Sequence, residues 1–191
     1  MPYPEVYSDV QYVLRQFGAC PEALEWALDC HSLEQLWEDC PDPEWLLLSL
    51  KGLDHCEEPK LRLFAVACAR RHSALFSDER CCRILEVAEA VATGKKQNIH
   101  LQPAFDDAFA VSNDAGRLLD WDESRHAAIR CVQDTVRQQP WDAARRAIRN
   151  GQRASRSARR ESYWQLQELR RILEPDVPLL TRRARELLTG G

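Results

Sequence analysis

Apolar residues recur at spacings of three and four along almost the whole chain, and the alternation expected of half-buried strands is nearly absent. With proline and capping residues as punctuation, that pattern confines the fold to the all-α class. Val6, Val10, Val13, Leu14 and Phe17 form one apolar face, closed by Gly18 in the position of a C′ glycine. Pro21 opens a short helix carrying Leu24, Ala27 and Leu28. Ser32 with Gln35 has the capping-box pattern ahead of Leu33, Leu36 and Trp37. Asp42 and Pro43 make an N-cap and first-turn pair for a helix that stops at Gly52.

The centre is more regular. Pro59 begins a helix whose middle, 63–69, is apolar all round, as expected when neighbours cover it on several sides. Ser77 is expected to cap the next helix, with Asp78 and Glu79 at its positive end. Cys81, Ile84, Leu85, Ala88, Val91 and Ala92 line its inner face as far as Gly94. A residue or two between these helices predicts an antiparallel hairpin over 59–94. Pro103 starts a helix with Phe105, Ala108, Phe109, Ala115 and Leu119 inward, and Asp122 caps one with Ala128, Ile129, Val132 and Val136 inward.

Asp142 to Leu173 reads as the longest helix, about 30 residues or ~45 Å if unbroken. Its inner seam is Ala144, Ile148, Gly151, Ser155, Ala158, Ser162, Leu166, Leu169 and Leu173, and Asn150 with Gly151 is the alternative breaking point. Asp176 and Pro178 start a last helix with Leu180, Ala184, Leu187 and Leu188. The expectation is a compact bundle of about nine or ten helices with one long C-terminal helix. It is read as a single domain over 1–191: an acidic short-helix part (1–58), the hairpin (59–94) and C-terminal helices (103–189). No period of 20–50 residues repeats.

No run approaches the ~18 apolar residues of a membrane span, and the start MPYPEVYSDV is acidic rather than basic and apolar. A cytoplasmic location is expected, with the eight cysteines as reduced, mostly buried thiols. The net charge of −4 conceals an asymmetry: residues 1–60 carry 13 acidic and 3 basic residues, whereas 125–191 carry 15 basic and 7 acidic.

Few residues suggest chemistry. Cys68 and His72 stand one helical turn apart, but a zinc site needs four convergent ligands and no paired CxxC supplies a second half. Asp106, Asp107, Asp114, Asp120, Asp122 and Glu123 read as a solvated acidic face with an N-cap rather than a cation site. None of His31, His55, His72, His100 and His126 lies in a catalytic motif, and no nucleophile elbow, phosphate-binding glycine loop or HExxH is present. No catalytic residue, metal site or cofactor is therefore expected.

The feature that asks for a partner is a row of arginines. Arg146, Arg149, Arg153, Arg156 and Arg160 recur at spacings of three and four, within about 80° of arc on one helix. Apart from Asp142, no carboxylate sits at neighbour spacing from any of them. Like charges so placed cost roughly 0.2–0.5 kcal/mol per pair. Trp164 lies on the same face and Tyr163 at its edge. Mobile ions, the chain's own acidic third, a second copy joined through opposite-charge ends, an acidic protein or a nucleic-acid backbone could each meet this row. Nucleic acid ranks below protein because the acidic N-terminal part repels a long polyanion.

The stretch LRLFAVACARRHSALF through SDERCCRILEVAEAVATG resembles a recurrent module of uncharacterised bacterial proteins, in which a buried A-C-A-R helix precedes a second helix ending near glycine. Upstream, WALDCHSLEQLWEDCPDPEWLLLSL looks like the opening of predicted all-helical immunity proteins from polymorphic-toxin systems. The two cover roughly 26–94, and the arginine-rich end departs from those families. The resemblance implies a non-enzymatic protein that blocks a toxin or effector. The expected function is thus a helical protein–protein interaction module that presents Arg146, Arg149, Arg153, Arg156, Arg160 and Trp164 to an acidic partner. A nucleic-acid-associated protein or a self-assembling subunit is the alternative.

Overall fold

A computed structural model describes residues 9–16, 18–53, 57–117, 122–174, 178 and 181–182. Ten α-helices and no strand occur among them, so the fold is all-α. The chain divides into two compact units, 1–56 with 174–191 and 57–173.

In the first unit the helices are short and begin and end on local chemistry. α1 (Asp9–Gln16) buries Val10, Val13 and Leu14, while Val6 and Phe17 of the expected face lie outside the described residues. Gly18 follows with φ of 72°, and the amide of Ala19 donates to the Leu14 carbonyl at 3.0 Å. A side chain is strained at that φ, and glycine is not. α2 (Pro21–Trp26) tightens into a 3-10 turn at Ala27–Asp29. The change of period turns Leu28 outward, 64% exposed, and Ala23 takes the inner position expected of it.

Ser32 caps α3 (Leu33–Asp39) by accepting from the Gln35 amide at 3.1 Å, while Gln35 reaches back to the His31 amide at 2.9 Å. Asp42 accepts from the Glu44 and Trp45 amides to start α4 (Pro43–Gly52), which buries Leu46, Leu47 and Leu50. Trp26 and Trp45 meet tilted at 41°, ring centres 6.3 Å apart. The last expected helix falls almost wholly outside the described residues.

The second unit holds α5 (Glu58–Arg71), α6 (Arg80–Ala92), α7 (Leu101–Arg117), α8 (Glu123–Thr135), α9 (Pro140–Ala154) and α10 (Ala158–Leu173). α5 runs through its centre with α6, α8, α9 and α10 packed around it, which is why its middle is apolar on every side. Its polar exception is Arg62, 3% exposed. The guanidinium donates to the carbonyls of Thr135 (2.7 Å), Arg137 (2.8 Å) and Gln138 (3.4 Å), groups that the end of α8 leaves without helical partners.

Several expectations need correction here. Eight residues, 72–79, separate α5 from α6 rather than one or two. Glu79, not Ser77, holds the N-cap position of α6, without a side-chain cap bond, and Asp78 before it accepts from the Arg80 amide at 2.8 Å and binds the Arg80 guanidinium as well. On α7 the buried line runs Leu101, Ala104, Ala108 and Val111. Phe109, one residue step or about 100° round from Ala108, is 54% exposed, and Phe105 is half-buried beneath the Arg137 guanidinium. Asp122 caps α8 as expected, accepting from the Arg125 amide.

The largest correction concerns the long C-terminal helix: 142–173 is two helices, separated at 155–157. Asn150 and Gly151 stay helical. Ser155 turns extended (φ −84°, ψ 144°), its hydroxyl exchanges hydrogen bonds with the amide and carbonyl of Ser157, and the Ser157 hydroxyl accepts from the Arg160 amide. Two serines thus offer the backbone local partners that compete with the helix, and the second starts the next one. Ala158, expected in the inner seam, opens α10 and is exposed.

Candidate functional site

The break at 155–157 divides the arginine row. Arg146, Arg149 and Arg153 stay on α9, Arg156 sits in the connection, and Arg160 and Trp164 belong to α10. All five arginines are exposed, and Trp164 is half-buried. Gln152 donates to Ser162 Oγ at 2.9 Å and Gln165 Oε1 at 3.3 Å, and Gln165 donates to the Ile148 carbonyl at 3.1 Å. These pairings carry α10 back along α9, so the row is folded across two adjacent helices instead of drawn out along one.

The fold is held by a polar cluster that the spacing of residues did not reveal. Glu161 is 2% exposed; its Oε2 accepts from Arg71 Nε at 2.9 Å, and its Oε1 lies 3.3 Å from His72 Nε2. That last pair lacks hydrogen-bond alignment, leaving both atoms without a hydrogen-bond partner. The Arg71 guanidinium also sits 4.4 Å over the Trp164 ring, so one face of this tryptophan is already covered by a cation. Gly151 allows the approach: a Cβ there would stand 2.8 Å from Gln165 Nε2, 3.5 Å from His72 Nε2 and 3.6 Å from Glu161 Oε1. Its place in the inner seam was legible, but its role is close packing rather than helix breaking.

On its other side α9 packs along α8. Asn150 Nδ2 donates to the buried Asp134 carboxylate at 2.7 Å, and Arg137 Nε donates to it at 2.7 Å. Burial pushes the Asp134 carboxyl above the usual carboxylate range, opposed by Arg137, Asn150 and the charge of Arg146. Further along, Glu123, His126, Ala127 and Arg130 of α8 and Asn150 and Arg153 of α9 enclose an open cavity of about 260 Å³. Burial and the neighbouring Arg130 charge lower the His126 pKa below its usual value. Among the described residues no carboxylate lies within ion-pair distance of Arg130, Arg153, Arg156 or Arg160.

The other candidates take structural places. Cys68 and Cys131 are fully buried, which raises their thiols well above the usual range; Cys30, Cys40 and Cys81 are buried too. The seven described cysteines are free thiols. Among the described residues, no three His, Cys, Asp or Glu side chains are placed to hold a metal ion. Asp106 accepts from Gln102, Asp114 pairs with Arg80 and Asp122 caps α8, so these acids are separated by task; Asp120 lies outside the described residues. No described helix is long and apolar enough to cross a membrane. No protein family, curated protein or solved structure matches the chain.

Proposed function

We propose that this chain is a non-enzymatic, all-helical protein–protein interaction module of the immunity or inhibitor type, acting in the cytoplasm on an acidic protein surface. The observation that carries this reading is the exposed set Arg153, Arg156 and Arg160, which have no carboxylate within ion-pair distance among the described residues and lie where α9 and α10 adjoin. Arg146 and Arg149 lie further along α9, and Trp164 lies one turn on from Arg160 on α10. Arginine forks bind carboxylates bidentately, and desolvated pairs of that kind fix both register and specificity. The two helices present the charges on a rigid scaffold, which limits the ordering cost of association.

The test is affinity capture from the native cell with the natural chain and with an Arg149→Glu, Arg153→Glu, Arg160→Glu variant. An acidic protein held at low salt, released at high salt and missing from the variant is the expected result. Truncating one partner of a buried interfacial charge pair costs about 2–5 kcal/mol, so three reversals exceed a hundredfold loss. Unchanged circular dichroism shows that the variant still folds. Equal capture by both proteins contradicts the reading, and steep salt-dependent retention on duplex DNA or RNA in place of protein assigns the row to a phosphate backbone instead.

A further inference from the structure

We propose that the cavity between α8 and α9 is a binding site for a phosphoryl dianion, as inorganic phosphate or a small phosphomonoester. The wall contains two arginines from different helices, Arg130 and Arg153, neither of them paired with a carboxylate among the described residues. Paired guanidinium forks match the oxygens of a phosphoryl group. Asn150 is fixed beside them by its bond to Asp134, and His126 contributes a ring that becomes a further cation when protonated.

Size and the single negative wall narrow the ligand. At about 260 Å³ the cavity falls below the roughly 300–1,000 Å³ of sites that enclose whole small molecules, so it takes one headgroup with the remainder outside. Glu123 is the only acid on the wall and an acceptor. Two guanidiniums against one carboxylate favour a doubly charged anion, the form that a phosphomonoester with its second pKa near ~6 mostly takes at neutral pH, over a singly charged carboxylate. The His126 pKa is lowered first by burial and then by the Arg130 charge, and a bound anion offsets the second of these.

Arg153 is common to this site and the protein-binding face, and the two are told apart by residues they do not share: Arg130 lies on α8 outside the row and Arg160 lies outside the cavity. The test follows the His126 ring resonances of the full chain while inorganic phosphate, ribose 5-phosphate or acetate is added. Saturable shifts with phosphate and an upward move of the His126 pKa are expected, with acetate, which carries one charge, at least about tenfold weaker. Arg130→Gln should weaken phosphate about tenfold or more, the loss of one charge-assisted pair, while Arg159→Ala should not. Ribose 5-phosphate binding more tightly than phosphate marks a carried phosphoryl group; equal binding marks the free ion. Absence of saturation, equal binding of acetate, or the same affinity in Arg130→Gln overturns the assignment.

Discussion

The two sides of α9 use polar side chains in opposite ways. Toward α5 and α10, Gly151 lets the chain approach so closely that His72, Glu161 and Gln165 are buried within the second unit. Toward α8, Arg153 and Asn150 border an open cavity, and Arg146 and Arg149 continue into solvent. The side toward α5 and α10 is rich in interactions that fix geometry, while the side toward α8 adds to the Asn150–Asp134 bond a cavity whose arginines, Arg130 and Arg153, have no carboxylate within ion-pair distance among the described residues. Stability and recognition are thereby divided between two faces of one helix, so substitutions on the two faces should fail in different ways.

The comparison breaks most sharply at Glu161. Glu161→Ala leaves the partly exposed Arg71 without its carboxylate and His72 facing a void, a loss of about 1–3 kcal/mol. Thermal unfolding should shift down by on the order of 5 °C. A change within experimental error would mean that the cluster does not hold α10 in place. Gly151→Ala should cost less. The overlap at 2.8 Å pushes a fully buried Gln165 amide off the Ile148 carbonyl, about 1–3 kcal/mol of overpacking, offset by about 1 kcal/mol of helix propensity. Chemical denaturation should show a net loss near 1 kcal/mol, and added stability would contradict the tight approach.

On the open side, Arg130→Gln and Arg153→Gln should each change unfolding free energy by no more than about 0.5 kcal/mol, as surface substitutions do, while ligand binding falls. A large loss of stability from either would erase the division between the faces. The smallest effect belongs to His126. Its folded pKa is lowered by burial and by Arg130, so the folded state binds fewer protons than the unfolded chain near and below the usual 6.5. Stability should therefore decline as pH falls below about 6.5, through the window down to the lowered folded value. His126→Gln should flatten that slope in urea unfolding at several pH values.

The elements themselves were legible because their signals are local. Ser32 with Gln35, Asp42 with Pro43, Asp122 and Gly18 act within a turn of where they stand, and each starts or stops a helix as its chemistry dictates. Position 155–157 shows the limit. Ser155 falls in the inner seam, which continues in register through Leu166, Leu169 and Leu173, so the segment reads as one helix with Asn150 and Gly151 as its alternative break. The buried cluster was illegible for a different reason. Glu161 has no partner on its own helix; Arg71 and His72 reach it across ninety or so positions of chain, and sequence spacing holds no trace of that meeting. The arginine row was read correctly as charge, but the cavity needed Arg130 and His126 from α8, which only the packing of α8 on α9 supplies.

Partner capture by two single variants tests the central claim, that the folded arginine face recognises an acidic protein, more directly than any other measurement. Arg160→Glu reverses a charge of the row that lies outside the cavity, and Arg130→Gln removes a cavity charge that lies outside the row. The account predicts that Arg160→Glu loses the acidic partner while Arg130→Gln retains it. Retention by Arg160→Glu, with folding intact, contradicts it.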